Sequence, residues 1–345
     1  MQHALSKRLS VRLRLTFVFG FFLEHFLGWT PLQRPITRWR KRTLRGIHAT
    51  LEAQPDQGVV PVPAPRDLVP EVFEQEYFKR GRCVVLRGAA KEWPAVKRWS
   101  LEFLAKEYGD DPVILSNHRA FSEEGSDAEQ EEAEVTDLRD VIENLARDRL
   151  KYARFHPLLD RHPELQEDLD QGWLERMKRK NPFARYNFHT IFIGARGNRT
   201  PTHNAGNDNL FIQIAGRKTW HLWEADCGYA FDPEVNRCPA KHSSVGPEET
   251  AAWYPKLRTY RVELEPGDVL YVPAYAWHYV HNEEDAIGVG VRWTSPWNSL
   301  RRSPWLFFLE FFNTSPSIFS VLFERDFNKL LVANRRREKR PSTSR

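Results

Sequence analysis

The chain has 345 residues, 41% hydrophobic and 28% charged, a composition that excludes a disordered or collagen-like protein and allows one large domain with extensions or two ordinary ones. Its net charge of +5 sits at the ends. Residues 1–48 hold ten Lys/Arg against Glu24, and residues 335–345 hold six against Glu338, so the body between them is net acidic and a nucleic-acid groove there is not expected. Cys83, Cys227 and Cys238 are odd in number and form no CxxC, which argues against a disulfide framework or a thiolate zinc site and for a reducing, cytoplasmic setting.

Residues 1–53 form a basic, hydrophobic extension. Its uninterrupted apolar run, Leu15 to Leu23, is too short to span a bilayer, which takes about 20 residues. Three readings stay open for residues 10–30: a membrane-surface helix, an organelle transit segment, or a helix packed on the protein's own body. Residues 54–70 carry four prolines between 55 and 65 and are expected to be an extended linker.

The main domain is expected over 71–298. "PEVFEQEYFKRG" predicts a helix ending at Gly81, "RCVVLRG" a buried strand, "WSLEFLAKEYGD" a helix capped by Ser100, and "PVILSN" a second strand. Residues 122–134, "SEEGSDAEQEEAE", read as a solvated acidic loop lacking the spacing and glycine of a calcium site. "TDLRDVIENLARD" predicts a capped amphipathic helix. Seven short β-branched and aromatic runs follow, "HTIFIG", "NLFIQIAG", "KTWHLW", "TYRVELEPGD", "VLYVPA", "HYVHN" and "AIGVGVRW". Gly, Pro, Asn and Asp punctuate them, so a barrel or sandwich is expected rather than a doubly wound sheet. Residues 299–334 predict two helices separated by Pro316, apolar beyond what one packing stripe needs, which suggests a homodimer, a partner or a membrane contact. Residues 335–345 form a basic tail.

His203 is expected in a loop entering a strand, and His278 follows "PGDVLYVPAYAW", a turn and strand that would aim an imidazole into a barrel. Dinucleotide, phosphate-loop and hydrolase-elbow motifs are absent from the sequence. "RGRCVVLRGAAKEWPAVKRWS", "TPTHNAGNDNLFIQIAGRKTWHLW" and "LEPGDVLYVPAYAWHYV" resemble the opening strand and the two ligand strands of the JmjC-like cupin family of iron(II)- and 2-oxoglutarate-dependent oxygenases. Within that family the pattern is similar to the asparaginyl hydroxylase that inhibits hypoxia-inducible factor. The resemblance covers about residues 68–297 and implies a double-stranded β-helix (jelly-roll), mainly β with flanking helices. It also implies Fe(II), 2-oxoglutarate and O2 as cofactors. By resemblance, His203 and His278 are the iron ligands, Lys218 pairs with the distal carboxylate of 2-oxoglutarate, and Thr200 and Asn209 line its pocket. Imidazoles suit iron(II) and an ammonium suits a dicarboxylate.

Ala205 departs from that family, which has Asp or Glu two residues after the first histidine. Three outcomes stay open. Chloride or bromide fills the vacant position, as in iron/2-oxoglutarate radical halogenases that carry His-x-Ala or His-x-Gly and act on an unactivated C–H bond. Alternatively, iron is lost and the cupin only binds. Or the protein still hydroxylates, with water or an oxygen of Asn204, Asn207 or Asp208 as the missing ligand. His281 is expected at a strand end and Arg292 on a late strand, where it would serve structure or neutralise an anion. The substrate class, small molecule or peptide, is not legible.

Overall fold

The computed structural model describes residues 5–115, 134–147, 149, 151–178, 188–236, 238 and 240–313. All but the last residue of the acidic stretch 122–134, the second expected C-terminal helix and the basic tail lie outside the described residues.

Fourteen strands are described. The early ones are β1 (Val59–Pro61), β2 (Val84–Leu86), β3 (Pro112–Leu115), β4 (Glu134–Asp137) and β5 (Tyr152–His156). Then come β6 (Phe188–Gly194), β7 (Arg199–Asn204), β8 (Asp208–Ala215), β9 (Lys218–Trp223) and β10 (Lys241–His242). The last are β11 (Thr259–Leu264), β12 (Val269–Val272), β13 (Trp277–Asn282) and β14 (Ala286–Trp293). One six-stranded sheet runs β1-β11-β9-β13-β7-β10, a second β2-β12-β8-β14-β6-β5, and β3 pairs with β4. Sequence neighbours β7, β8 and β9 thus alternate between the two large sheets, as the crossing strands of a jelly roll do. Phe192, Phe211, Trp220, Leu222 and Val280 fill the space between the sheets. β14 is buried at all eight positions because helices cover its outer face, so "AIGVGVRW" is a continuous apolar run rather than an alternating one.

The seven expected runs are all strands, and three elements differ from expectation. The segment expected as a helix to Gly81 holds a short α-turn, Pro70–Val72, and then a π-helical stretch, Phe73–Phe78. The linker 54–70 is extended, but β1 adds to the sheet edge parallel to β11, a place where proline's missing N–H does no harm. His203 sits on β7 itself, not in a loop leading to it.

The principal helices are α1 (Val11–Leu27), α2 (Gln33–Glu52), α3 (Leu101–Tyr108), α4 (Leu138–Arg147), α5 (Pro296–Arg302) and α6 (Pro304–Glu310). Ser10 caps α1 by accepting from the Leu13 N–H, Ser100 caps α3 as expected, and Asp137 accepts from the Asp140 N–H at the start of α4. One face of α1 packs on the body. Phe17 and Phe21 are fully buried against Trp305 and the core around Trp223, worth about 1.5–3 kcal/mol each. None of the three cysteines is in a disulfide.

Candidate metal and anion site

β7 is the middle of the site. In register, His278 of β13 lies opposite His203 on one side, and His242 of β10 lies opposite it on the other. The His203 and His278 rings are 4.1 Å apart between centroids, tilted by 54°. His242 stacks almost parallel on His203 at 5.5 Å. A nearly parallel ring turns its lone pair alongside its neighbour's rather than toward a common point, so His242 adds no third converging nitrogen. His242 was not foreseen: it lies in the long irregular stretch 224–258, where no periodic pattern marks it.

Both central imidazoles are fixed in one tautomer. His203 Nδ1 lies 2.9 Å from the Pro201 carbonyl and His278 Nδ1 lies 3.0 Å from the Ala276 carbonyl. A carbonyl only accepts, so each Nδ1 carries the proton and each Nε2 keeps its lone pair. This is the orientation that second-shell bonding gives to metal-binding histidines. Burial pushes His203 well below its ordinary value and His278 down to about 4, so both rings are neutral at physiological pH.

Two backbone irregularities aim the other side chains. The β13–β7 register shifts between His278 and Val280, which matches Thr200 with Val280 while His203 faces His278. Thr200 and His203 are an odd number of positions apart and would face opposite ways on a regular strand; the bulge at Pro201 and Thr202 turns both onto one wall. On β5 the register shifts between Ala153 and His156, and Phe155 takes φ = 53°. Two residues, Arg154 and Phe155, thus oppose one, and both face inward, at the strain of a left-handed aromatic residue.

The resulting cavity is lined by Thr200, His203, Lys218, His278 and Arg292, together with Tyr152, Arg154 and a collar of Phe155, Phe192, Phe211, Trp220 and Val280. Its 20 Å³ has room for about one water-sized particle. Among the described residues its wall contains no carboxylate. Lys218 is 1% exposed, its Nζ 3.4 Å from the Tyr152 hydroxyl, which in turn neighbours Thr200. Burial pushes the Tyr152 phenol up, but Lys218 and Arg154 outweigh it and the net shift is downward. Arg292 stacks over Phe155 at 4.6 Å, makes no ion pair among the described residues, and leaves its buried Nε without a partner. Burial and then the nearby Arg154 pull it down to about 9, and burial pulls Arg154 down to about 10. The cavity is a positive hole.

The other expected residues are placed as follows. Asn209 shares the inner face with Arg292, its register partner, but does not line the cavity; its Oδ1 lies against Gly290. Ala205 follows the end of β7, with its carbonyl accepting from the Tyr275 N–H at 2.7 Å, and its methyl is not on the cavity wall. His281 is on β13, with Nδ1 3.2 Å from Glu283.

Asp208, held open as a substitute ligand, is corrected by the structure. Its Oδ1 is 2.5 Å from Arg302, accepts from the Tyr271 hydroxyl at 2.6 Å, and lies 3.3 Å from the Ala274 N–H. It anchors α5 instead of facing the histidines. Asn207 donates to the Thr294 hydroxyl, and Asn204 is buried away from the cavity wall. Among the described residues no group of three His, Cys, Asp or Glu is placed to hold a metal. Two neutral imidazoles with free ε nitrogens fit iron(II) as part of a ligand set, and the remaining ligands and the negative charge would come from beyond the described residues of the wall.

A family model described as "Cupin-like domain" matches residues 70–298. The chain is 25% identical over 236 residues to "Lysine-specific demethylase 8" of Xenopus tropicalis, covering 65% of this chain and 51% of that protein. It is 26% identical over 238 residues to "Jumonji C domain-containing protein 5" of Drosophila melanogaster, covering 65% and 57%. A shorter stretch of 102 residues is 37% identical to "HSPB1-associated protein 1 homolog" of Danio rerio, covering 27% and 22%. The chain thus spans about half the length of the first two relatives. With two jelly-roll sheets, paired histidines between them and a family match over most of its length, this chain belongs to the cupin-like domain family.

Proposed function

We propose that the cavity is the site of an iron(II)- and 2-oxoglutarate-type oxidoreductase in which a small anion, chloride or bromide, stands where the family carries a carboxylate. One observation carries this reading: two ε nitrogens are left free beside a cavity whose described wall carries three cations and no carboxylate. Iron(II) with 2-oxoglutarate supplies the oxygen-driven attack on a C–H bond when bound. The chain's own residues would do the rest. His203 and His278, held neutral by burial, would offer Nε2 to the metal. Lys218, with the Tyr152 and Thr200 hydroxyls, would bind the distal carboxylate of the co-substrate, an ammonium–carboxylate contact worth about 1.5–3 kcal/mol. Arg292, which lacks an ion pair among the described residues, would hold the small anion that Ala205 cannot replace. Phe192, Phe211 and Trp220 would keep bulk water out, which strengthens each of these interactions.

A second reading, a cupin that binds an anion without catalysis, draws on the same positive charge and on the small volume. A dication would sit near Arg154 and Arg292, and room for a dicarboxylate requires the Arg292–Phe155 stack to open. Succinate release separates the readings. Aerobic protein with iron(II) and 2-oxoglutarate is assayed with and without chloride or bromide. Halide-dependent succinate supports the proposal, halide-independent succinate supports hydroxylation, and no succinate under any condition leaves the binding module.

A further inference from the structure

The face of the molecule carrying α1 and α6 has no partner among the described residues, and its side chains are of two kinds. Val11, Leu15, Phe19 and Phe26 recur along one side of α1 and are 39–64% exposed, on the side opposite the buried Phe17 and Phe21. The strip continues in two directions through ring contacts: Phe19 meets Trp39 of α2 at 5.9 Å, and Phe26 meets Phe312, beyond α6, at 4.9 Å. Phe308 and Phe311 extend it, and Trp29 in the α1–α2 turn is 79% exposed. Beside this strip, Arg34, Arg38, Arg42 and Arg45 line the open side of α2, and none of the four makes an ion pair among the described residues. Arg40 and Lys41, by contrast, are bound to Glu24 or Asp232 and hold α2 to the body.

We infer that this face docks on an acidic membrane surface, with the aromatic strip sunk at the headgroup–acyl boundary and the α2 arginines on the acidic headgroups. The charge decides the occupant. A second copy of the chain would bring four more free arginines against these, and the repulsion would oppose an apolar contact of this size. A soluble acidic protein would satisfy the arginines but leave Leu15, Phe19 and Trp29 wanting an apolar bed. An acidic bilayer offers both layers at the right spacing, and exposed Trp and Phe with flanking Arg is the composition of interfacial helices. The orientation follows from the packing. α1 is pinned along its length by Phe17 and Phe21, so it lies flat, and among the described residues no helix is long and apolar enough to cross. This inference is independent of the chemistry in the cavity.

The test is flotation of the full chain with phosphatidylcholine vesicles, with and without phosphatidylserine. The expected result is binding that needs phosphatidylserine and weakens as salt is raised. Arg38→Gln with Arg42→Gln should lower the partition coefficient about 30-fold, taking about 1 kcal/mol per arginine near an acidic leaflet. Leu15→Ser with Phe19→Ser, both exposed, should lower it at least as far at low salt, with only a small fall in melting temperature from the lost Phe19–Trp39 contact and with anion binding in the cavity unchanged. Failure of the full chain to float overturns the inference, and so does flotation that ignores phosphatidylserine. A dimer in solution that is lost in the Leu15→Ser/Phe19→Ser variant, with no vesicle binding by the parent, overturns it in favour of self-association.

Discussion

Arg302→Ala is the sharpest structural test of where negative charge is used. The Arg302 side chain is 7% exposed and that of Asp208 0%. Arg302 contacts Asp208 Oδ1 at 2.5 Å, the Phe78 carbonyl at 2.5 Å and the Tyr271 hydroxyl at 3.0 Å. Removing it leaves a fully buried carboxylate with only the Tyr271 and Ala274 donors, and the Phe78 carbonyl loses its charged partner. Breaking a buried pair from one side costs about 3–5 kcal/mol, because the orphaned charge stays in the interior. With about 2.1 cal/mol/K of unfolding entropy per residue over 345 residues, each kcal/mol moves the melting temperature by about 1.4 °C, so it should fall by about 4–7 °C. Asp208→Asn with Arg302→Met, which removes both charges, should recover most of the loss. Differential scanning calorimetry of the three variants reads this directly, and cobalt(II) titration of the folded fraction reads the site. If Asp208→Asn left the melting temperature intact and abolished cobalt binding, Asp208 would be a metal ligand and the assignment made above would be wrong.

Three further outcomes are expected. Ala205→Asp places a carboxylate two residues after His203; against a dication at ~4 Å and an effective dielectric near 20 the attraction is about 8 kcal/mol before desolvation, most of which desolvation and reorientation of the side chain offset, so metal binding should tighten roughly 10- to 100-fold and lose its response to halide in calorimetric titration. Lys218→Ala should weaken 2-oxoglutarate binding by about 10- to 100-fold, and Tyr152→Phe by about 5-fold, with melting curves used to confirm folding. Burial raises Glu310 from 4.5 to about 7, against the nearby Tyr275 hydroxyl and Lys241 ammonium, so the folded state holds this proton more tightly. That contribution is complete below about pH 4.5 and is lost as the pH rises through about 7, so Glu310→Gln should gain stability over the parent as pH climbs across that window, read as the difference between the two melting temperatures.

The β elements were legible because each run is short, β-branched or aromatic and closed by a turn residue; a barrel or sandwich followed from them, and the jelly-roll class from the family resemblance. The arrangement of the site was not legible to the same depth. Thr200 and His203 share a wall only because of a bulge at Pro201, and a bulge leaves no periodic trace. Arg154 enters the cavity through the left-handed backbone of Phe155, which residue type disfavours. His242 arrives on a two-residue strand whose only signal is its pairing with β7. An offset of five from His203 turns Asp208 to the opposite face of a regular strand, and only a loop through the glycine of "NAGND" would bring it round; the sequence does not show which distant partner claims it, and Arg302 lies 94 positions away. Ala205, by contrast, was visible at once, because a missing ligand needs no tertiary information.

Completion of the two-histidine site by an exogenous anion is read by anaerobic calorimetric titration of 2-oxoglutarate into the iron(II)-loaded protein, once in chloride and once in a buffer without halide. Binding should be at least about 10-fold tighter with chloride, and the chloride effect should disappear in Ala205→Asp. Equal affinity with and without chloride would contradict completion by an anion.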